Sequence, residues 1–353
     1  MDKDELLAQF PFPRVIDNTM YEQWKACPHS FFRRTIQGLQ LAELGEPGTP
    51  PTIRKGIHTH FGSCLAKALE VTRREYHEGA GHGEALAAGA QALIAKWDAD
   101  GPIPSPRTRT EEAKTLDACV LAHAGYFREW DLDDPMQQIM VIDDRPLIEL
   151  SGARDIPGSS HPVTGEPILY AGRFDAVLDR FGTAIGLDDK TTGASVEGEA
   201  WQNNWTLRGQ FTGYVWLANS WGYQMEQFLV HGVQVLKTTC KYAECLEVRP
   251  WWMVESWLRQ LKDDLGMMCL QYNEFIERLV GNPDRGGEAS GGEAALDLSL
   301  DLAHPFGQRF GDACHHYNQR CQFTRLCSEP NPQDFLDAYI VERWDPLKQA
   351  EED

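Results

Sequence analysis

In the stretch "GRFDAVLDRFGTAIGLDDKTTGAS", residues 172–195, three charged side chains stand where two apolar runs should be burying themselves. Asp175 lies in the run "FDAVL", Asp188 follows "AIGL", and Lys190 comes two positions later. The two runs read as neighbouring antiparallel strands. Side chains alternate faces along a strand, so Asp188 and Lys190 share a face and Asp189 points away. Two carboxylates presented by adjacent strands suit Mg2+ or Mn2+, hard cations that prefer oxygen ligands and often take only one or two protein carboxylates. Such a cation polarises a phosphate and acidifies a bound water; an ammonium beside it orients that water or offsets developing charge. A lone D-x-K is ordinarily a solvated turn of surface hairpin, and here the flanks argue for a site. Gly172 precedes Asp175 in G-x-x-D, Thr191 follows Lys190, and a later helix carries Gln210-x-x-x-Tyr214. Glu149, at the end of "RPLIEL", is a further carboxylate that such a sheet could bring near.

A second constellation is "CHHYNQRCQFTRLC", with Cys314, Cys321 and Cys327 spaced C-x6-C-x5-C. Closely spaced thiolates wrap Zn2+ or an iron–sulfur cluster, and either needs a fourth ligand, which no later cysteine supplies. His315 and His316 keep a zinc or mixed ligand set open. Cys64, Cys119, Cys240, Cys245 and Cys269 read as ordinary buried thiols.

The elements that must position these residues follow from hydropathy. A T-x-x-E pair, Thr19 and Glu22, predicts a capped helix start before Cys27 and Pro28. Residues 40–51 read as a loop, and helical periodicity covers about 53–77, 82–98 and 110–131. Strand patterns follow near 139–150, 168–179 and 183–191, then a helix near 200–220, strands near 226–238 and 243–249, and a long helix over about 250–281. "GNPDRGGEASGGEA" reads as a linker. Trp201, Trp205 and Trp216 follow helical spacing and are expected in the core, with base stacking as the alternative. The expectation is one mixed α/β domain over 1–353: an N-terminal segment 1–52, a helical part 53–135, a sheet with helices 136–280, a linker 281–296, and a Cys-rich C-terminal region 297–353 with an acidic tail.

At 353 residues and 42% hydrophobic, the chain can bury a substantial core. No apolar run approaches the ~20 residues that span a bilayer. "MDKDELLAQF" lacks a basic n-region and an apolar h-region, so no signal peptide and a cytoplasmic location are expected. Nine cysteines in a reducing compartment argue against a disulfide framework. A net charge of −20 argues against nonspecific coating of long DNA, though not against a recessed site served by local basic stretches such as "FFRR" and "TRRE".

On these motifs the chain resembles the PD-(D/E)XK nucleases of the RecB-like group, specifically the iron–sulfur branch that includes CRISPR-adaptation exonucleases and phage relatives. The resemblance implies a restriction-endonuclease-like fold: a central mixed sheet flanked by helices, with a helical insertion and N- and C-terminal segments stapled by a cluster. It makes Asp175 and Asp188 metal ligands, Lys190 the catalytic lysine, and Gln210 and Tyr214 groups that position substrate or lysine. Cys27, in "ACPHSFF", becomes the remote fourth ligand of a 4Fe–4S cluster with Cys314, Cys321 and Cys327. The family places a histidine ligand on a helix before the sheet. Gly56-x-x-x-His60 matches one form of that motif, with His58 as substitute, whereas the "FGS" form puts the position at Ala66. The spacing also departs from a common C-x2-C-x5-C, whose second position is Asn318 here. The implied activity is metal-dependent hydrolysis of DNA at ends or single strands, in a bacterial or phage-infected cell, alone or with a recombination, repair or replication partner. The alternative is a catalytically weak or inactive DNA-end-binding subunit with the same fold.

Overall fold

A computed structural model of the chain describes residues 2–43, 52–53, 56–100, 106, 108–280, 306–309, 311–316, 319–329 and 332–347. The expected linker 281–296, residues 44–51 of the expected loop, Asn318 and the end of the acidic tail lie outside the described residues, and residues 40–43 of that loop are strand, paired with the segment near the C-terminus. In chain order the elements open with α1 (Lys3–Gln9), β1 (Val15–Asp17), α2 (Asn18–Ala26), α3 (Pro28–Phe31), β2 (Leu39–Glu43) and β3 (Thr52–Ile53). Four helices follow: α4 (Ile57–His77), α5 (His82–Ala99), α6 (Arg109–Glu112) and α7 (Leu116–Glu129). Then come β4 (Val141–Ile142), β5 (Arg145–Pro146), β6 (Ile148–Asp155), β7 (Leu169–Arg180) and β8 (Thr183–Thr192). After α8 (Glu199–Asn203) and α9 (Gly209–Ser220) stand β9 (Gln227–Val235), β10 (Cys240–Val248), α10 (Trp251–Val280) and, near the end, α11 (Thr324–Ser328).

The sequence suggests one domain, but the contacts group into two compact units built from interleaved segments. One is Met1–Arg54, Ala153–Ala171 and Leu258–Asp353; the other is Lys55–Gly152 and Gly172–Trp257. A hydropathy pattern locates elements and says nothing of which distant elements meet, which is why this division was not legible in it.

The second unit is mixed α/β, a central mixed sheet flanked by helices. β7 pairs antiparallel with β8, β8 parallel with β9, and β9 antiparallel with β10, while β6 pairs with β7. The parallel step needs a crossover, which α8 and α9 supply. One face of the sheet meets α4 and α7: Phe61, Leu65 and Leu69 of α4 pack with Ala122 and Tyr126 of α7 and with Val233 and Val235 of β9. The other face meets α9, where Phe211 stacks on Phe228 of β9 at 4.6 Å between centroids. Trp201, Trp205 and Trp216 are buried, as expected of core residues.

In the first unit, β1 runs parallel to Leu169–Ala171, and α10 covers an aromatic cluster. Phe10 and Phe32 meet Phe275 edge-on at 5.3 and 5.0 Å, and Phe306 stacks on Phe32 at 5.0 Å. The two ends of the chain are knitted here, because Tyr339–Val341 pairs antiparallel with β2. The cap of α2 is Asp17, whose carboxylate accepts from the Met20 amide at 2.8 Å, rather than Thr19. Asp17 already has extended backbone at the end of β1, the conformation an N-cap needs.

Gly172 explains the glycine of G-x-x-D. A Cβ there would lie 2.8 Å from Cε1 of Tyr214 and 3.1 Å from Cδ2 of Leu217 on α9. Gly172→Ala should therefore cost about 1–3 kcal/mol by overpacking. A lower urea midpoint at unchanged m-value is the expected signature; an unshifted midpoint would mean that α9 is free to retreat.

Candidate metal centre

β8 lies inside the sheet, with β7 on one side and β9 on the other, so its alternate side chains meet different helices. Asp188 faces α9 and is 3% exposed. Its Oδ1 receives a long contact of 3.4 Å from Nε2 of Gln210, which also donates to the Tyr214 hydroxyl at 3.0 Å. Gln210 and Tyr214 are one turn apart on α9 and so reach the same point. Lys190 is ion-paired through Nζ with Oδ2 of Asp188. Asp175, Asp188, Lys190, Gln210 and Tyr214 are thus brought together.

The backbone is re-aimed at Asp175. The β7–β8 ladder ends at Ala176 opposite Leu187, one residue short of both carboxylates. Beyond that point the Asp189 amide donates to Oδ2 of Asp175, at 2.6 Å, in place of a ladder bond. Phe174 packs with Tyr214 and Phe228 on the α9 face, whereas Ala176 clusters with Leu187 and Leu229 on the opposite one. Two positions that share a face in a regular strand fall on different faces, a local kink of the kind bulges introduce beside functional sites. On β6, Glu149 has φ +52°, rare for a non-glycine residue. It forms an ion pair with Arg173 at 3.1 Å and lies close enough to Asp175 to oppose its ionisation. The sequence placed Glu149 at the end of the apolar run "RPLIEL", whereas it is the second residue of β6.

The electrostatics are lopsided. Burial, then Asp188, Asp189 and Glu149, push the Asp175 carboxyl well above the usual carboxylate range, with Lys190 pulling the other way. Burial also raises Asp188, against the stabilising ammonium of Lys190. Lys190 is held above the ordinary lysine value, since Asp188 and Asp175 outweigh its desolvation. A divalent cation between Asp175 and Asp188 would relieve the excess of negative charge, and those two carboxylates fit one in number and type. Among the described residues, Asp175, Asp188 and Glu149 do not all bring oxygens within 4.8 Å of one another, so the fit rests on the pair.

Asp189 behaves in the opposite way. Desolvation works against its charge, but Arg73, then His231 and Tyr126, more than offset it and hold the carboxyl below its usual value. Nη1 of Arg73 on α4 donates to Oδ2 at 2.8 Å, and Tyr126 of α7 donates to Oδ1 at 2.7 Å. The Tyr126 oxygen accepts from Nη2 of Arg73 at 2.7 Å and stands 2.6 Å from Nδ1 of His231, which places the imidazole proton on Nδ1. Trp130 stacks flat on His231 at 3.7 Å. Sequence reading sent Asp189 to the far face and missed this anchorage, because its members are scattered over α4, α7 and β9.

His60 is not brought to the carboxylates. Gly62 lies against Thr191, since a Cβ there would be 3.5 Å from Oγ1, so Gly62 marks the side of α4 that meets β8. At 100° per residue Arg73 falls about 20° from Gly62, Ala66 about 40°, and His60 about 160°. His60 therefore faces α5: its ring meets Trp97 at 4.5 Å, Nδ1 lies 3.7 Å from Oδ2 of Asp100, and Nε2 lies 4.0 Å from Sγ of Cys64. His58 is on the β8 side of the helix but half exposed, with Nε2 3.8 Å from Glu111.

In the other unit, Cys27 caps the end of α2, Cys314 ends a short 3-10 turn, the Cys321 amide donates to the Cys314 carbonyl at 2.9 Å, and Cys327 lies in α11. The four thiols converge closely enough to interact. Burial lifts Cys327 to about 11; Arg33 opposes this, while Cys321, Cys27 and Cys314 add to it. No three of the four sulfurs fall within 4.8 Å of one another, among the described residues, wider than thiolates around one Zn2+. Buried Arg33 beside Cys327 suits a group of net negative charge. The side chains of His315 and His316 lie outside the described residues.

No family model and no curated protein matches the chain. Among solved structures, the crystal structure of SSO0001 aligns with 59% of this chain and 84% of its own, at 14% identity and a TM-score of 0.25, a likeness too slight to carry an argument. Among the described residues no helix is long and apolar enough to cross a membrane.

Arg73→Met strands a buried carboxylate and should cost about 3–5 kcal/mol, most of which Arg73→Met with Asp189→Leu should recover. A double-mutant cycle in urea measures this; additive losses would mean that Arg73 and Asp189 are not coupled.

Proposed function

We propose that the chain is a metal-dependent deoxyribonuclease, an exonuclease acting on DNA ends or single strands, with the fold of the RecB-like PD-(D/E)XK group. The observation that carries this reading is the convergence of Asp175 and Asp188 from adjacent strands with Lys190 and the Gln210–Tyr214 pair. A buried cluster of that composition needs a cation, and hydrolysis of a phosphodiester is the chemistry that a cation flanked by an ammonium serves. Asp175 and Asp188 would hold Mg2+ or Mn2+, which supplies Lewis acidity at a phosphate oxygen and a more acidic water. Asp189, fixed by Arg73 and Tyr126, holds Asp175 through its amide. Lys190 keeps its proton and offers positive charge to the scissile phosphate. Gln210 orients Asp188 and, with Tyr214, lines the approach of the substrate backbone. The net charge of −20 disfavours coating of long DNA and leaves a local site as the place of contact. A bacterial or phage-infected cytoplasm, and a partner from recombination, repair or phage replication, belong to the same reading.

Cys27, Cys314, Cys321 and Cys327 would hold a structural 4Fe–4S cluster, with Zn2+ as the alternative. Buried Arg33 beside Cys327 favours the cluster, a group of net negative charge. Its role is a staple between the chain's two ends, a bond the unfolded chain lacks.

A second reading, a DNA-end-binding subunit without catalysis, is favoured by one observation: the histidine expected as third ligand faces α5. Retention of buried Asp188 with Asp175 and Lys190 around it speaks against it, since a scaffold gains nothing from grouping them out of water.

Asp188→Ala and Lys190→Ala should each abolish Mn2+-dependent digestion of linear DNA while leaving the circular-dichroism spectrum intact. Equal digestion by wild type and both variants removes the nuclease reading; end binding without cleavage in wild type selects the second. Anaerobically purified protein should contain about four iron and four sulfide per chain and absorb broadly near ~400 nm. Stoichiometric zinc with no iron would decide for the alternative.

A further inference from the structure

The histidine that turns away from the carboxylates has companions of its own. His60 and Cys64 stand four residues apart on α4, about 40° apart around the helix, the spacing by which two helical side chains reach one ion. Asp100, the C-terminal cap residue of α5, closes the group. One ligand atom from each of His60, Cys64 and Asp100 lies within 4.8 Å of the other two. His60 and Cys64 are 2% and 0% exposed, and Trp97 covers the imidazole.

We propose that His60, Cys64 and Asp100 form a binding site for a Zn2+-class cation, distinct from the carboxylate pair. Imidazole, thiolate and carboxylate are the zinc donors, and the thiolate selects against Mg2+ and Ca2+. With metal–ligand bonds of about 2.0–2.3 Å, ligand atoms around four-coordinate zinc sit roughly 3.3–3.8 Å apart. An ion takes one ring nitrogen of His60, so either the 3.7 Å contact of Nδ1 with Asp100 or the 4.0 Å contact of Nε2 with Cys64 stands near zinc spacing, and the third donor, within 4.8 Å, closes by up to about 1 Å. Binding breaks the Cys64 S–H bond, forms a sulfur–zinc bond and releases the proton to solvent. Neutral imidazole, thiolate, carboxylate and Zn2+ then sum to zero charge, which a buried interface tolerates. The order Cys64–His60–Asp100 is also that of a nucleophile, its base and an orienting acid. Cys64 has no exposed surface for a substrate to reach, and that decides for a metal. The ion would pin the C-terminus of α5 to α4.

The test uses the full chain, stripped with chelator and dialysed with or without Zn2+. Alkylation of individual cysteines in mild denaturant is followed by peptide mass mapping. Zn2+ should slow modification of Cys64 at least tenfold and leave Cys245 and Cys269 unchanged. Equal rates for Cys64, or equal protection by Mg2+, would overturn the assignment. His60→Asn and Asp100→Asn should each lose about one bound zinc and the protection of Cys64, whereas Cys321→Ser should keep that protection. Zinc retained in both of the first two variants would also overturn it. None of these readouts involves DNA, so the result stands apart from the nuclease reading.

Discussion

Placing Asp188, Asp189 and Lys190 in consecutive positions of an interior strand, with the two carboxylates largely out of water and the lysine about a third exposed, obliges both faces of the sheet to supply partners. A desolvated charge costs several kcal/mol unless it is paired and hydrogen-bonded. On one face Arg73 and Tyr126 meet Asp189, and they come from two helices, α4 and α7, that must dock in one register to do so. On the other face Lys190 meets Asp188, and α9 must bring Gln210 within reach. The strand thus fixes the helices as much as the helices cover the strand.

The two faces are joined through backbone. The Asp189 amide that bonds Asp175 belongs to the residue whose carboxylate Arg73 holds. Anchoring on the helical side therefore sets the orientation of a carboxylate on the candidate site, over one residue and with no conformational relay. The resulting imbalance is instructive: Asp189 is fully compensated and stays ionised, whereas Asp175 is crowded by like charges and pushed toward protonation. Asp189 has its charge balanced by Arg73, whereas Asp175 receives one backbone amide and sits among other carboxylates.

Much of the arrangement was legible beforehand. The D-x-K triplet, the alternation that separates Asp189 from its neighbours, the G-x-x-D glycine and the one-turn pair on α9 all depend on local periodicity, and local geometry is what a sequence encodes directly. The four thiols also converge, although Cys27 and Cys314 are far apart in the chain. The misplaced cap at Thr19 was a local error of two residues. His60 failed for a different reason. A motif spacing says that a histidine lies on a helix before the sheet, but the side of the helix that meets β8 is chosen by packing, and it is the side that carries Gly62 and Arg73.

The sequence by itself determined the main strands and helices between residues 57 and 280, though not α1, β1 or β2, together with the composition of the carboxylate cluster and which side chains share a face, since period 2 and period 3.6 follow from backbone geometry alone. The tertiary structure decided which face of each helix looks inward, that Arg73, Tyr126 and His231 gather around Asp189, and that His60 belongs with Cys64 and Asp100. Those outcomes depend on contacts between residues tens to a hundred positions apart, where burial energy selects among faces that the local pattern leaves equivalent.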